Sequence, residues 1–68
     1  MEPEEAIELC ESILEMLDDI PDEGEEFAES VREKVESMME WIETHGEVTA
    51  KQVAALSNME RGAERWMR

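Results

Sequence analysis

Ala6, Ile7, Cys10, Ile13, Leu14, Leu17 and Ile20 recur at steps of three and four residues, the spacing of one face of an α-helix. Leu9 and Met16 widen that face to about half the circumference, and Glu4, Glu8, Glu11, Glu15 and Asp18 occupy the other side. Pro3 suits a first helical position, and Glu4 and Glu5 suit the positive end of the helix dipole. Pro21 stops the helix at or just before Ile20. The pattern predicts a first helix over about residues 3–20. Asp18 and Asp19 then fall at the negative end of its dipole, a mismatch on the order of a few tenths of a kcal/mol each. Either water tolerates that mismatch or a cation or basic partner relieves it.

A short linker, PDEGEE, follows. Asp22 or Gly24 can cap the next helix, with Glu25 and Glu26 in its first turn. Ala28, Val31, Val35, Met38, Met39 and Ile42 form the apolar face of a second helix over about residues 24–45, with Phe27, Trp41 and His45 at its margin. Glu29, Glu33, Glu36, Glu40 and Glu43 form an outer row whose members rise ~5–6 Å apart along the axis, similar to the phosphate spacing along a nucleic-acid strand. Gly46 reads as the left-handed residue that ends this helix. Thr49 with Gln52 makes a capping box, and Val48 with Val53 a hydrophobic staple. The third helix, about residues 50–67, places Val53, Leu56, Met59, Ala63, Trp66 and Met67 on one side and Arg61, Arg65 and Arg68 toward the other. Asn58 can adopt a left-handed turn, but the apolar phase runs unbroken past Ser57 and Asn58, which predicts one continuous helix. No run alternates with period two, so no sheet is expected. The expected fold class is all-α, a small three-helix bundle forming one domain over residues 1–68.

Length and composition narrow the chemistry. A chain of 68 residues buries a small core, and its burial gain nearly cancels its chain entropy. Cys10 is the only cysteine, so no disulfide forms within the chain. Cys10 and His45 together fall short of a structural zinc set. A lone thiol fits a reducing cytoplasm, and MEPEEAIE is acidic where a signal peptide is basic. No apolar run approaches the ~20 residues of a membrane span. A soluble cytoplasmic protein, with no membrane partner, is expected.

The net charge of −14 is unevenly placed. Residues 1–47 hold eighteen acids against Arg32 and Lys34, and residues 48–68 hold Glu60 and Glu64 against Lys51, Arg61, Arg65 and Arg68. Such a field repels phosphates and attracts basic surfaces; the plainer reading is a solvated exterior. No glycine-rich phosphate loop, Ser-His-Asp set or Cys-His pair is present, so no catalytic residue, metal or cofactor is assigned and no enzyme is expected. His45 reads as a helix-end residue bonding a terminal carbonyl. Cys10 reads as a buried, inert thiol. DDIPDEGEE is acidic enough to hold calcium loosely but lacks the order of an EF-hand loop. The methionines sit at helical spacing, as flexible core filler does. Trp41 lies just outside the core arc, either packed under the first helix or exposed for a partner; Trp66 is expected on the inner side of the third helix.

Two resemblances extend this reading. Residues 37–68, SMMEWIETHGEVTAKQVAALSNMERGAERWMR, resemble the helix-turn-helix of winged-helix regulators, with Ser57–Met59 as the turn. That resemblance implies a nucleic-acid-binding regulator reaching DNA through Arg61, Arg65 and Arg68, although Glu64 falls where such motifs usually bury an aliphatic residue. GEVTAKQ, Gly46 to Gln52, is similar to a helix–GxVTxKQ–helix element of small phage and prophage proteins. That second resemblance implies a phage genetic setting more than an activity, and it is compatible with an acidic inhibitor of a host-defence complex, of the DNA-mimic, anti-CRISPR or anti-restriction kind. The acidic faces of the first two helices are expected to dock on a basic surface of a nucleic-acid-handling protein through Glu8, Glu11, Glu15, Glu29, Glu33, Glu36, Glu40 and Trp41, and direct binding of nucleic acid is not expected. A third reading is a structural homodimer or adaptor.

Overall fold

The computed structural model describes residues 1–67, and Arg68 lies outside the described residues. Three helices follow one another: α1 (Pro3–Asp18), α2 (Glu25–His45) and α3 (Ala50–Trp66), with a single 3-10 turn at Asp22–Gly24 between the first two. The chain is an all-α three-helix bundle, 35 × 17 × 17 Å in extent.

α1 ends two residues earlier than its apolar pattern suggests. Proline disfavours the helical region for the residue before it, so Ile20 cannot extend the helix. Asp19 sits at φ −93°, ψ −4°. The amides of Asp19 and Ile20 donate to the carbonyls of Met16 (3.1 Å) and Leu17 (3.3 Å), the tighter bonds by which helix ends satisfy orphan carbonyls. Pro21 then adopts an extended conformation at φ −66°, ψ 164°, and Gly24 N–H donates to its carbonyl at 2.8 Å. Gly24, not Asp22, is the N-cap of α2. A Cβ there would stand 2.6 Å from Ile20 Cγ2 and 3.1 Å from the Trp66 indole. Only a hydrogen fits where these two side chains close over the turn.

The second junction follows its sequence signals closely. Gly46 takes φ +68°, and its N–H donates to the Ile42 carbonyl at 2.8 Å. Gln52 N–H donates to Thr49 Oγ1 at 3.1 Å. In return Thr49 N–H donates to Gln52 Oε1 at 2.9 Å. Val48 and Val53 are both half-buried. α3 then runs without a break to Trp66, so the turn at Ser57–Met59 that a helix-turn-helix needs does not form.

Ala6, Cys10, Ile13 and Leu17 of α1 meet Ala28, Val31, Val35 and Ile42 of α2 and Leu56 and Ala63 of α3 in the core. Ile13, Val35, Ile42 and Leu56 have no exposed surface, and burying each stabilises by about 1.5–3 kcal/mol. Met16, Met38, Met39 and Met59 pack around this centre half-buried. Trp66 and Met67, expected inside, are exposed at 36% and 50%. The apolar phase reaches them, but α3 has by then run to the end of the bundle, and no facing helix covers them. α1 packs against both other helices, whereas α2 and α3 touch each other least, which opens a groove between them on the side away from α1.

Candidate interaction surfaces

Seven carboxylates carry the acidic faces. Glu8, Glu11 and Glu15 follow α1 at steps of three and four, opposite Ala6, Cys10 and Ile13, and all three are exposed. Glu29, Glu33, Glu36 and Glu40 do the same on α2, opposite Val31, Val35 and Ile42, and are likewise exposed. Each row belongs to one helix. None of the seven lies within ion-pair distance of a cation among the described residues.

The ion pair that does form joins Arg32 of α2 to Asp18 at the end of α1, Nη2 to Oδ1 at 2.8 Å. It answers the electrostatic mismatch at that terminus from within the chain. Both side chains are largely exposed, so the pair stabilises little. The sequence pattern did not reveal it, because residues fourteen apart on different helices share no local periodicity.

Trp41 is half-buried. Its indole stacks on the His45 imidazole, with centroids 4.0 Å apart and planes 13° off parallel. His45 Nδ1 lies 2.9 Å from the Trp41 carbonyl oxygen; since a carbonyl only accepts, the hydrogen sits on Nδ1. Trp41 also lines the groove between α2 and α3. A hollow of about 560 Å³ there is lined by Ser30, Glu33, Lys34, Ser37, Met38, Trp41 and Gln52. Further along the α2–α3 seam Phe27, Gly62, Arg65 and Trp66 line a second, separate hollow, with the Phe27 and Trp66 rings 6.4 Å apart. Phe27 read only as a marginal residue in sequence. A hint of its role was the small Gly62, which leaves room for its ring: a Cβ at 62 would stand 3.0 Å from Phe27 Cζ.

Arg61 and Arg65 of α3 are both exposed, and Arg61 donates to Asn58 Oδ1 at 2.8 Å. The remaining candidate cation, Arg68, lies outside the described residues. Cys10 is fully buried. Burial, with a smaller contribution from the Glu11 charge, pushes its thiol above the usual value, so it stays protonated and unreactive at neutral pH. Among the described residues no group of three or more His, Cys, Asp or Glu side chains is arranged to hold a metal, DDIPDEGEE included. No helix among them is long and apolar enough to cross a membrane.

Among the described residues, fold and surface together define a small acidic helical bundle with carboxylate rows outside ion-pair distance of any cation and an aromatic-lined groove. No family model matches the chain, nor does any curated protein or solved structure.

Proposed function

We propose that this chain is a protein-binding module rather than an enzyme. The carboxylate rows of α1 and α2 dock on a basic, nucleic-acid-binding surface of another protein and block it, as a DNA-mimicking inhibitor of the anti-CRISPR or anti-restriction kind does. The observation that carries this reading is that Glu8, Glu11, Glu15, Glu29, Glu33, Glu36 and Glu40 are all exposed, with the ion pair among the described residues made elsewhere. A row of unpaired like charges on a rigid helix keeps its full field for a partner and steers association with a basic surface.

The test begins with a partner captured by the immobilised chain. Glu8→Gln/Glu11→Gln/Glu15→Gln and Glu29→Gln/Glu33→Gln/Glu36→Gln keep side-chain shape and remove charge. Each is expected to weaken binding at least about tenfold and to flatten its dependence on salt. The wild-type chain is expected to displace duplex DNA from that partner and to leave free duplex unretarded in a gel at low salt. If both triple variants bind as the wild type does, with the same salt dependence, the rows are solvated exterior and the reading is wrong.

A further inference from the structure

The α2–α3 groove is flanked by an acidic set of residues on α2 and, on α3, by two cations on either side of the neutral Asn58, and each set repeats every seven residues. Glu26, Glu33 and Glu40 run along α2, and Lys51, Asn58 and Arg65 along α3; all six are exposed. A seven-residue repeat is close to two helical turns, so each set forms a straight rail. Glu33 borders the groove beside Met38 and Trp41, Glu40 flanks Trp41, and Arg65 borders it beside Phe27 and Trp66.

The levels of the two rails also match. Trp41 and Gln52 share one end of the groove, and Phe27 shares the other with Gly62 and Trp66. Glu40 is therefore level with Lys51, Glu33 with Asn58 and Glu26 with Arg65. We propose that this groove is the interface of an isologous dimer whose two-fold axis runs parallel to the helices. That axis sets α2 of one copy opposite α3 of the second at the same level, so that Glu40 meets Lys51, Glu33 meets Asn58 and Glu26 meets Arg65. An axis across the helices sets α2 on α2 and opposes Glu26 to Glu40, two like charges. The rails thus select one orientation, as flanking charges do in coiled coils. Phe27, Met38, Trp41 and Trp66 supply the apolar seam. Lys34 also lines the floor, and its long stem lets the ammonium reach the rim.

Net charge opposes any self-association of a −14 chain. The arrangement limits that cost, because Glu8, Glu11 and Glu15 lie on α1, across a bundle 17 Å thick. That is about two Debye lengths at physiological salt. A face of at most 35 × 17 Å covers no more than about 600 Å² per copy, at the small end of specific interfaces, so the dimer is weak and reversible. It leaves the α1 row outward on both copies but covers Glu33 and Glu40 of the α2 row, so a second copy competes with the basic partner proposed above for that row, while the α1 row serves either state.

Sedimentation equilibrium of the full chain at about physiological salt tests this, from micromolar to millimolar chain. The average mass is expected to rise from the 7.9 kDa chain toward twice that value. Glu40→Lys and Lys51→Glu, each alone, are expected to weaken dimerisation about tenfold, and the two together to restore it. These surface changes should leave the far-ultraviolet circular dichroism unchanged. A chain that stays single at millimolar concentration overturns the proposal. So does a dimer indifferent to both swaps, or growth beyond two copies. A monomer that instead takes up a synthetic amphipathic Leu/Lys helix, quenching Trp41 in a Trp66→Phe background, assigns the groove to a foreign helix and equally overturns it.

Discussion

Gly62 stands inside α3, where glycine costs a helix about 1 kcal/mol relative to alanine. The structure supplies the opposing term. A methyl at position 62 would lie 3.0 Å from Phe27 Cζ and 3.3 Å from Cε2, inside the ~3.5 Å of an unstrained carbon–carbon contact. Overpacking a closed core by a methyl costs roughly 1–3 kcal/mol. Phe27 is only half-buried and its aromatic neighbour Trp66 is exposed, so the ring has room to yield and the cost falls at the low end. The added methyl also buries some apolar surface, worth up to about 0.8 kcal/mol. Gly62→Ala is therefore expected to stabilise the fold by about 0.5 kcal/mol, raising the thermal midpoint by about 2–4 °C for a domain this small. Thermal melts at micromolar chain, followed by far-ultraviolet circular dichroism, measure it. In a Phe27→Leu background the overlap disappears, and the same substitution should gain about 1 kcal/mol or more. Destabilisation by Gly62→Ala beyond about 1 kcal/mol, or an equal gain in both backgrounds, refutes the claim that Phe27 alone opposes the methyl.

Nothing lies within 4 Å of a Cβ at Gly46, but its φ is +68°, so Gly46→Ala should cost about 1 kcal/mol in denaturant melts through backbone strain alone. Thr49→Ala removes the acceptor of the Gln52 amide and is expected to cost about 1 kcal/mol in the same assay. At micromolar chain, raising salt from low ionic strength should stabilise the fold by about 1 kcal/mol or more, read as a higher thermal midpoint, because it screens the −14 charge. Burial raises the Cys10 thiol, so the folded chain holds that proton more tightly than the unfolded one. The resulting stability is whole below the unfolded thiol's range near about pH 8.5 and is lost as pH climbs through the raised folded value. The denaturant midpoint should fall above about pH 9, and Cys10→Ala should lack that fall. Native Cys10 should also resist alkylation at neutral pH.

Most local features are legible in the sequence. The Thr49–Gln52 box, the left-handed Gly46, the continuity of α3 and the outward carboxylate rows each depend on residues within a few positions of one another, and each appears as the spacing implied. Ile13, Val35, Ile42 and Leu56 were readable as core for the same reason. The end of α1 was less so, since the apolar phase carries on to Ile20 while the backbone must prepare for Pro21.

By itself, then, the sequence determined three amphipathic helices, their caps, and which side of each faces water. Periodicity and capping are local and survive without knowledge of neighbours. Only the tertiary structure decided that α1 serves both other helices while α2 and α3 touch each other least, that Arg32 reaches Asp18, and that Trp66 lies out over Gly24 and Phe27. Those outcomes turn on how side-chain volumes from distant parts of the chain fill a shared space. A one-dimensional pattern records which residues want to be buried, but not which partners are present to bury them.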